Sequence, residues 1–165
     1  MNINIMVAYC KNNGIGLNNK LPWDIPDDLK RFSKITKGCG NNAIIMGRNT
    51  YESIGMILPR RFNIVLSTTQ KNQGVETCET LESAIALCKV KKFDNIFIIG
   101  GQSVYEEALK KNIVHKIYAT EINKEYICDR FFPCISEQYI TYQENKVING
   151  INISYKIYEG MRGML

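Results

Sequence analysis

Five short runs rich in β-branched and aliphatic residues recur along the chain, at 3–9 (INIMVAY), 42–47 (NAIIMG), 62–67 (FNIVLS), 95–100 (NIFIIG) and 116–122 (KIYATEI). Several are continuously apolar, as expected of strands covered on both faces. Helical patterns lie between them, at 26–36, 80–90 and 102–111. Such alternation calls for a mostly parallel sheet with helices on its faces. The tail departs from this. Residues 137–147 and 151–160 alternate and are joined through Asn149-Gly150, a dipeptide suited to a tight hairpin turn. The predicted fold is α/β, with a mixed, mostly parallel central sheet of about eight strands, flanking helices and an antiparallel C-terminal hairpin. At 165 residues, without a repeat, a linker or a low-complexity segment, the chain reads as one domain over 1–165.

Within PDDLKRFSKIT (26–36), two adjacent acids differ in facing. Pro26 suits a first helical turn, where its missing N–H costs nothing. Each residue advances a helix by about 100°. Asp27 then shares a face with Arg31 and Lys34, an ordinary solvated stripe. Asp28 shares one with Phe32 and Ile35, flanked by Leu29, and no Lys or Arg lies on it. The helix dipole favours both acids and does not separate them. A carboxylate on an apolar face needs a partner, because burying it without hydrogen bonds is costly or raises its pKa. Two readings stand. Asp28 caps a neighbouring backbone segment, or it floors a pocket. A flat ring offering two adjacent N–H donors would satisfy both of its oxygens there, as an Arg fork does.

Three further segments carry candidate chemistry. NNGIGLNNKLPW (12–23) lacks the third glycine of a dinucleotide fingerprint, and no helix follows it directly, so it reads as a long flexible loop of the kind that forms lids. Its Trp23, taken alone, suits core packing better than ligand contact. At 45–55 a strand, a glycine turn and a short helix place Arg48 where a phosphate would sit; an ordinary turn with a surface Arg fits equally well. At 97–109 a buried strand ends in Gly100-Gly101 and a helix begins at once. That arrangement permits close backbone approach and offers free N–H groups to a pyrophosphate. A tight strand-to-helix turn is the plainer alternative. Thr80 is a plausible N-cap, with Ser83 three residues on.

Several function classes fit poorly. The net charge of +5 is scattered apart from KVKK (89–92), which reads as solvated surface rather than a nucleic-acid stripe. The six cysteines form no CxxC pair, and His115 is the only imidazole, so a zinc site is not expected. No run approaches the ~20 apolar residues of a membrane span. With no leader-like opening, the cysteines read as reduced thiols of a cytoplasmic protein. A single His supports no convincing Ser-His-Asp set, so the chemistry looks borrowed from a cofactor.

Read together, GIGLNNKLPW, DDLKRFSKIT, IIMGRNTYESIG, LPRRFNIVLS and IIGGQSVYEEAL resemble the dihydrofolate reductase family in order and spacing, over nearly the whole chain. The resemblance implies an NADPH-dependent reduction of dihydrofolate to tetrahydrofolate, supporting one-carbon metabolism and thymidylate synthesis. It places Asp28 against the pterin amino group and ring N–H, with Thr120 supporting that end. Trp23 would order the loop and a water near Asp28. Leu29, Phe32, Ile54 and Leu58 would line the substrate pocket, and Arg61 would hold the glutamate carboxylate. Met6, Val7 and Ile99 would lie beside the ring, and Tyr105 near the nicotinamide site. For the cofactor, the resemblance implies Ala8, Ile15 and Gly16 at the nicotinamide and its ribose. Gly47, Arg48, Asn49 and Thr50 would meet phosphates, and Leu66, Ser67 and Thr68 would lie near the adenosine. Gly100, Gly101, Gln102, Ser103 and Val104 would carry the pyrophosphate, with Gly100-Gly101 resembling the family's cis glycine pair. It further implies a monomer that binds antifolate inhibitors and needs neither nucleic acid nor membrane.

Some positions depart from the family pattern. Asn49 stands where His or Lys is common, and Ser103 where some members carry Arg, which leaves Arg48 with more of the NADPH-over-NADH discrimination. Arg60 replaces a common Gly. The competing readings are a reductase of the same fold acting on a ribosylated pyrimidine, a non-catalytic pterin or dinucleotide binder, and, more distantly, a nucleic-acid module.

Overall fold

The computed structural model describes residues 1–69 and 74–161. Ten strands and four α-helices alternate along them. The main sheet has eight strands in the order β5-β4-β3-β6-β1-β7-β10-β9. These are β1 (Asn2–Cys10), β3 (Asn42–Gly47), β4 (Phe62–Leu66), β5 (Glu76–Cys78), β6 (Asn95–Ile98), β7 (Lys116–Ile122), β9 (Ile140–Ile148) and β10 (Ile151–Glu159). Seven of them run the same way, and β10, paired antiparallel with both β7 and β9, is the one reversed. The predicted mixed sheet with its C-terminal hairpin is what forms. Asn149 (φ 51°) and Gly150 (φ 76°) both take the left-handed conformation that a tight turn there requires.

The central strands are covered on both faces because their side chains alternate between two cores. Ile5, Val7 and Tyr9 point into one, filled by α3 (Leu81–Lys91) and α4 (Gln102–Lys110). Met6, Ile44, Met46 and Phe97 point into the other, against Phe32 and Ile35 of α1 (Pro26–Lys37) and Ile54 of α2 (Arg48–Ile54). A third cluster joins Cys10, Trp23, Ile25, Ile122, Ile153 and Tyr155 at the carboxyl end of β1. Local sequence sets the helix ends. Pro26 opens α1, and Thr80 caps α3 in a reciprocal pair with Ser83. No described helix is long and apolar enough to cross a membrane.

Sequence reading placed a long flexible loop over 12–23, and here the structure differs. Gly14–Gly16 forms β2, which pairs antiparallel with β8 (Arg130–Phe131). The Asp129 and Phe132 amides donate to the carbonyls of Gly16 and Asn13 at 2.9 and 2.8 Å. Such two- and three-residue strands have too few side chains to show a period, and β5 escaped notice for the same reason.

Candidate active site

A single cleft of about 1530 Å³ runs along the carboxyl ends of β1, β3, β6 and β7. Every residue singled out above for substrate or cofactor lines it, and only Trp23 does not. Trp23 is buried behind the cleft, its ring edge-on to Tyr126 at 5.5 Å. Sequence reading missed Ser33, Ser53, Asp129, Arg130 and Phe131 as lining residues. The last three flank or form β8, which no periodicity announces.

At one end of the cleft, α1 presents Asp28. Its outward neighbour Asp27 is exposed, while Asp28 is only 9% exposed. Thr120 of β7 donates from Oγ1 to Asp28 Oδ1 at 2.6 Å. Among the described residues no cation lies within ion-pair distance of the carboxylate. Burial pushes the Asp28 pKa up from the ordinary carboxylate value, and the Thr120 hydrogen bond and the Arg31 charge pull partly the other way. Arg31 corrects the helical-phase reading. It does not lie on a freely solvated stripe with Asp27, but is half-buried, with its guanidinium carbon 4.3 Å from the centre of the Tyr155 ring. The β10 strand that delivers Tyr155 draws Arg31 inward, near enough for its charge to act on Asp28.

Arg61 lies further along the same wall. It is buried, donating from Nη1 to Thr36 Oγ1 at 2.9 Å and from Nε to the Pro59 carbonyl at 3.0 Å. Thr36 in turn donates to the Phe32 carbonyl at 2.7 Å, so the guanidinium is tied to α1. No carboxylate among the described residues pairs with it. Between Asp28 and Arg61 lie Leu29, Phe32, Ile54 and Leu58. Leu29 is 54% exposed, an apolar surface facing the opening.

The other end is built from backbone. Gly47 precedes α2 and Gly101 precedes α4, and neither helix start has a side-chain cap. Their free amides are donors without intrahelical partners. The Gly47 amide donates to the Gly100 carbonyl at 2.8 Å, which fixes the two starts side by side. The Gly100-Gly101 peptide is cis, as the resemblance implied. Arg48 lies on this rim but is already engaged, with Glu52 at 2.9 Å and with Thr69 Oγ1 at 3.2 Å. Tyr105, buried in α4, donates to the Met6 carbonyl at 2.8 Å and so joins this end to β1. The β2 loop reaches over the cleft, where the Ser53 hydroxyl donates to the Asn19 carbonyl.

Fold and site together define an α/β enzyme with its cleft at the carboxyl edge of a parallel sheet, a buried carboxylate at one end and two glycine-opened helices at the other. The dihydrofolate reductase family model matches residues 2–159. The chain is 39% identical to a dihydrofolate reductase of Drosophila melanogaster, over 96% of this chain and 98% of that protein. It is 42% identical to the Haemophilus influenzae dihydrofolate reductase, over 81% of this chain and 79% of that one. It also matches a bifunctional dihydrofolate reductase-thymidylate synthase of Arabidopsis thaliana, at 37% identity over 79% of this chain and 26% of that longer protein. The chain belongs to the dihydrofolate reductase family and is an oxidoreductase. Membership brings with it the use of a nicotinamide cofactor.

Proposed function

We propose that the chain reduces dihydrofolate to tetrahydrofolate with NADPH, by hydride transfer to a pterin ring carbon and protonation of the adjacent ring nitrogen. The observation that carries this reading is the buried Asp28–Thr120 pair at the floor of the cleft. The Thr120 proton points at Asp28, so its oxygen remains an acceptor. The pair thus presents acceptors to an amino group and a neighbouring ring N–H, a pattern that fits a pterin edge. Low exposure strengthens these contacts, because water does not compete for them.

The glycine rim suits a dinucleotide. A Cβ on Gly47 would lie 3.4 Å from Val104 Cγ2, and one on Gly101 3.4 Å from Thr50 Oγ1, so a Cβ at either position would touch its neighbour and any longer side chain would extend into the cradle. The uncapped start of α4 offers amides to a pyrophosphate, and Ile15 and Gly16 close the other side. When bound, the nicotinamide supplies the hydride. The protein holds the two rings in register and excludes water through the β2 loop, which Trp23 anchors from behind. Asp28 binds and polarises the ring without touching the nitrogen that is protonated, and a water delivers that proton. Arg61, which no carboxylate among the described residues pairs with, takes the glutamate carboxylate.

Preference for NADPH over NADH rests on Arg48, which the 2′-phosphate must share with Glu52. Following absorbance of each reduced cofactor with dihydrofolate present tests the reading. Fast oxidation of NADPH and slower oxidation of NADH is the expected result. Tight cofactor binding with a flat trace would make the chain a binder instead. Turnover on a ribosylated pyrimidine alone would make it the other reductase of this fold.

A further inference from the structure

The sulfurs of Cys10 and Cys128 lie 3.9 Å apart, although the residues are far apart in sequence. Cys10 ends β1 and is fully buried, and Cys128 is half-buried in the segment leading to β8. Cys10 donates from Sγ to Asn12 Oδ1 at 2.6 Å, and Asn12 donates from Nδ2 to the Tyr126 carbonyl at 3.3 Å. The two segments are therefore already bridged around the thiols. Gly14 lies against both sulfurs. A Cβ there would sit 2.2 Å from Cys128 Sγ and 3.0 Å from Cys10 Sγ, so the absence of a side chain is what lets the pair meet. Neither sulfur lines the cleft, and the reaction proposed above uses neither.

We propose that Cys10 and Cys128 are an oxidisable dithiol whose disulfide staples the root of the β2 loop to the β8 side of the cleft. A bonded pair needs sulfurs about 2.05 Å apart, so these two must close in from 3.9 Å. The oxidant is a low-molecular-weight disulfide. Cys128, the more accessible thiol, gives up its proton and attacks one sulfur of that disulfide. The small S–S bond breaks, and one small thiolate leaves and takes up a proton. Cys10 loses its proton and attacks the Cys128 sulfur of the mixed disulfide, expelling the second small thiol. In sum, two cysteine thiols are oxidised and one small disulfide is reduced to two thiols.

Burial pushes the Cys128 thiol up to about 11, with Cys10 beside it adding to the shift. Thiolate is then scarce at neutral pH, and exchange quickens about tenfold per pH unit below that value. The consequence reaches the cleft. Ile15 and Gly16 line it from the loop, and Asp129, Arg130 and Phe131 line it from the β8 segment. A bond between Cys10 and Cys128 closes a covalent ring around this pairing and restrains its opening.

The test treats the intact chain with glutathione disulfide at about pH 8.5, alkylates the remaining thiols, and maps the peptides by mass. The expected result is a linked Cys10–Cys128 pair, reversed by dithiothreitol, with amide exchange over 11–22 slowed at least about threefold. Cys128→Ser shows neither effect. Exposed Cys39 and Cys134 report, as mixed disulfides, that the oxidant has acted. Recovery of Cys10 and Cys128 as thiols under those conditions overturns the proposal, as does Cys128 capped by glutathione beside a free Cys10. A linked pair with unchanged exchange overturns the restraint on the loop. None of these readouts depends on which substrate the enzyme reduces.

Discussion

The two ends of the cleft solve recognition with different materials. The Asp28 end uses side chains fixed by packing: a carboxylate on α1, a hydroxyl on β7 and a guanidinium tied to Thr36. The Gly47–Gly100 end uses backbone, with two uncapped helix starts joined by one main-chain hydrogen bond. A side-chain site reads the shape and charge of one ring but carries a desolvation cost while empty. A backbone site costs little when empty, because exposed amides stay hydrated, but any side chain added at its glycines would stand against a neighbour.

The strongest way to break this contrast is at Asp28. Asp28→Asn should lower turnover about a hundredfold or more at neutral pH, with partial rescue at low pH where substrate arrives protonated. Asp27→Asn should stay within about twofold. Equal losses would dissolve the distinction between the inward and outward acids. The same Asn variant should melt higher in the absence of ligand. Burial raises the Asp28 pKa in the folded chain, so the folded state holds its proton more tightly than the unfolded one. Stability from this group is present below the unfolded value and lost as pH rises through the folded one. Removing the charge removes that loss, which thermal melts above and below the window would read.

At the other end, bulk rather than charge should matter. Gly47→Val places carbon against Val104 and the Gly100 carbonyl. It should weaken cofactor binding about tenfold or more while substrate-site affinity moves little, as titrations of each ligand would show. Loss of both affinities together would mean that the two ends are not separable. The smallest effect is expected behind Asp28. Arg31→Gln removes a charge that pulls the Asp28 pKa down. The acid limb of kcat/KM should move to higher pH, with kcat at the plateau nearly unchanged. An unmoved profile would show that Arg31 acts only by packing on Tyr155.

The two ends also differed in how far the sequence disclosed them. Helical phase separated Asp28 from Asp27, because the facing of an amphipathic helix is written in residues three and four apart. It misplaced Arg31, because what draws that side chain inward is Tyr155 on β10, whose landing beside β7 is a tertiary event. Glycines flagged the backbone end at 47 and 100–101. The hydrogen bond that joins those turns is set by β3 and β6 lying side by side, which no local pattern shows. Asn49 and Ser103 pointed to Arg48 as the chief phosphate cation, and its engagement with Glu52 emerged only in three dimensions.

Translation delivers β10 after every other strand of the main sheet, yet Tyr155 sits directly opposite Thr120 in the register of β10 on β7. A ribosome-tethered chain stopped before that strand lacks the Tyr155 wall that holds Arg31 beside Asp28. Under the proposed function, ring binding should therefore arrive abruptly during synthesis, when the final hairpin docks, rather than grow with chain length.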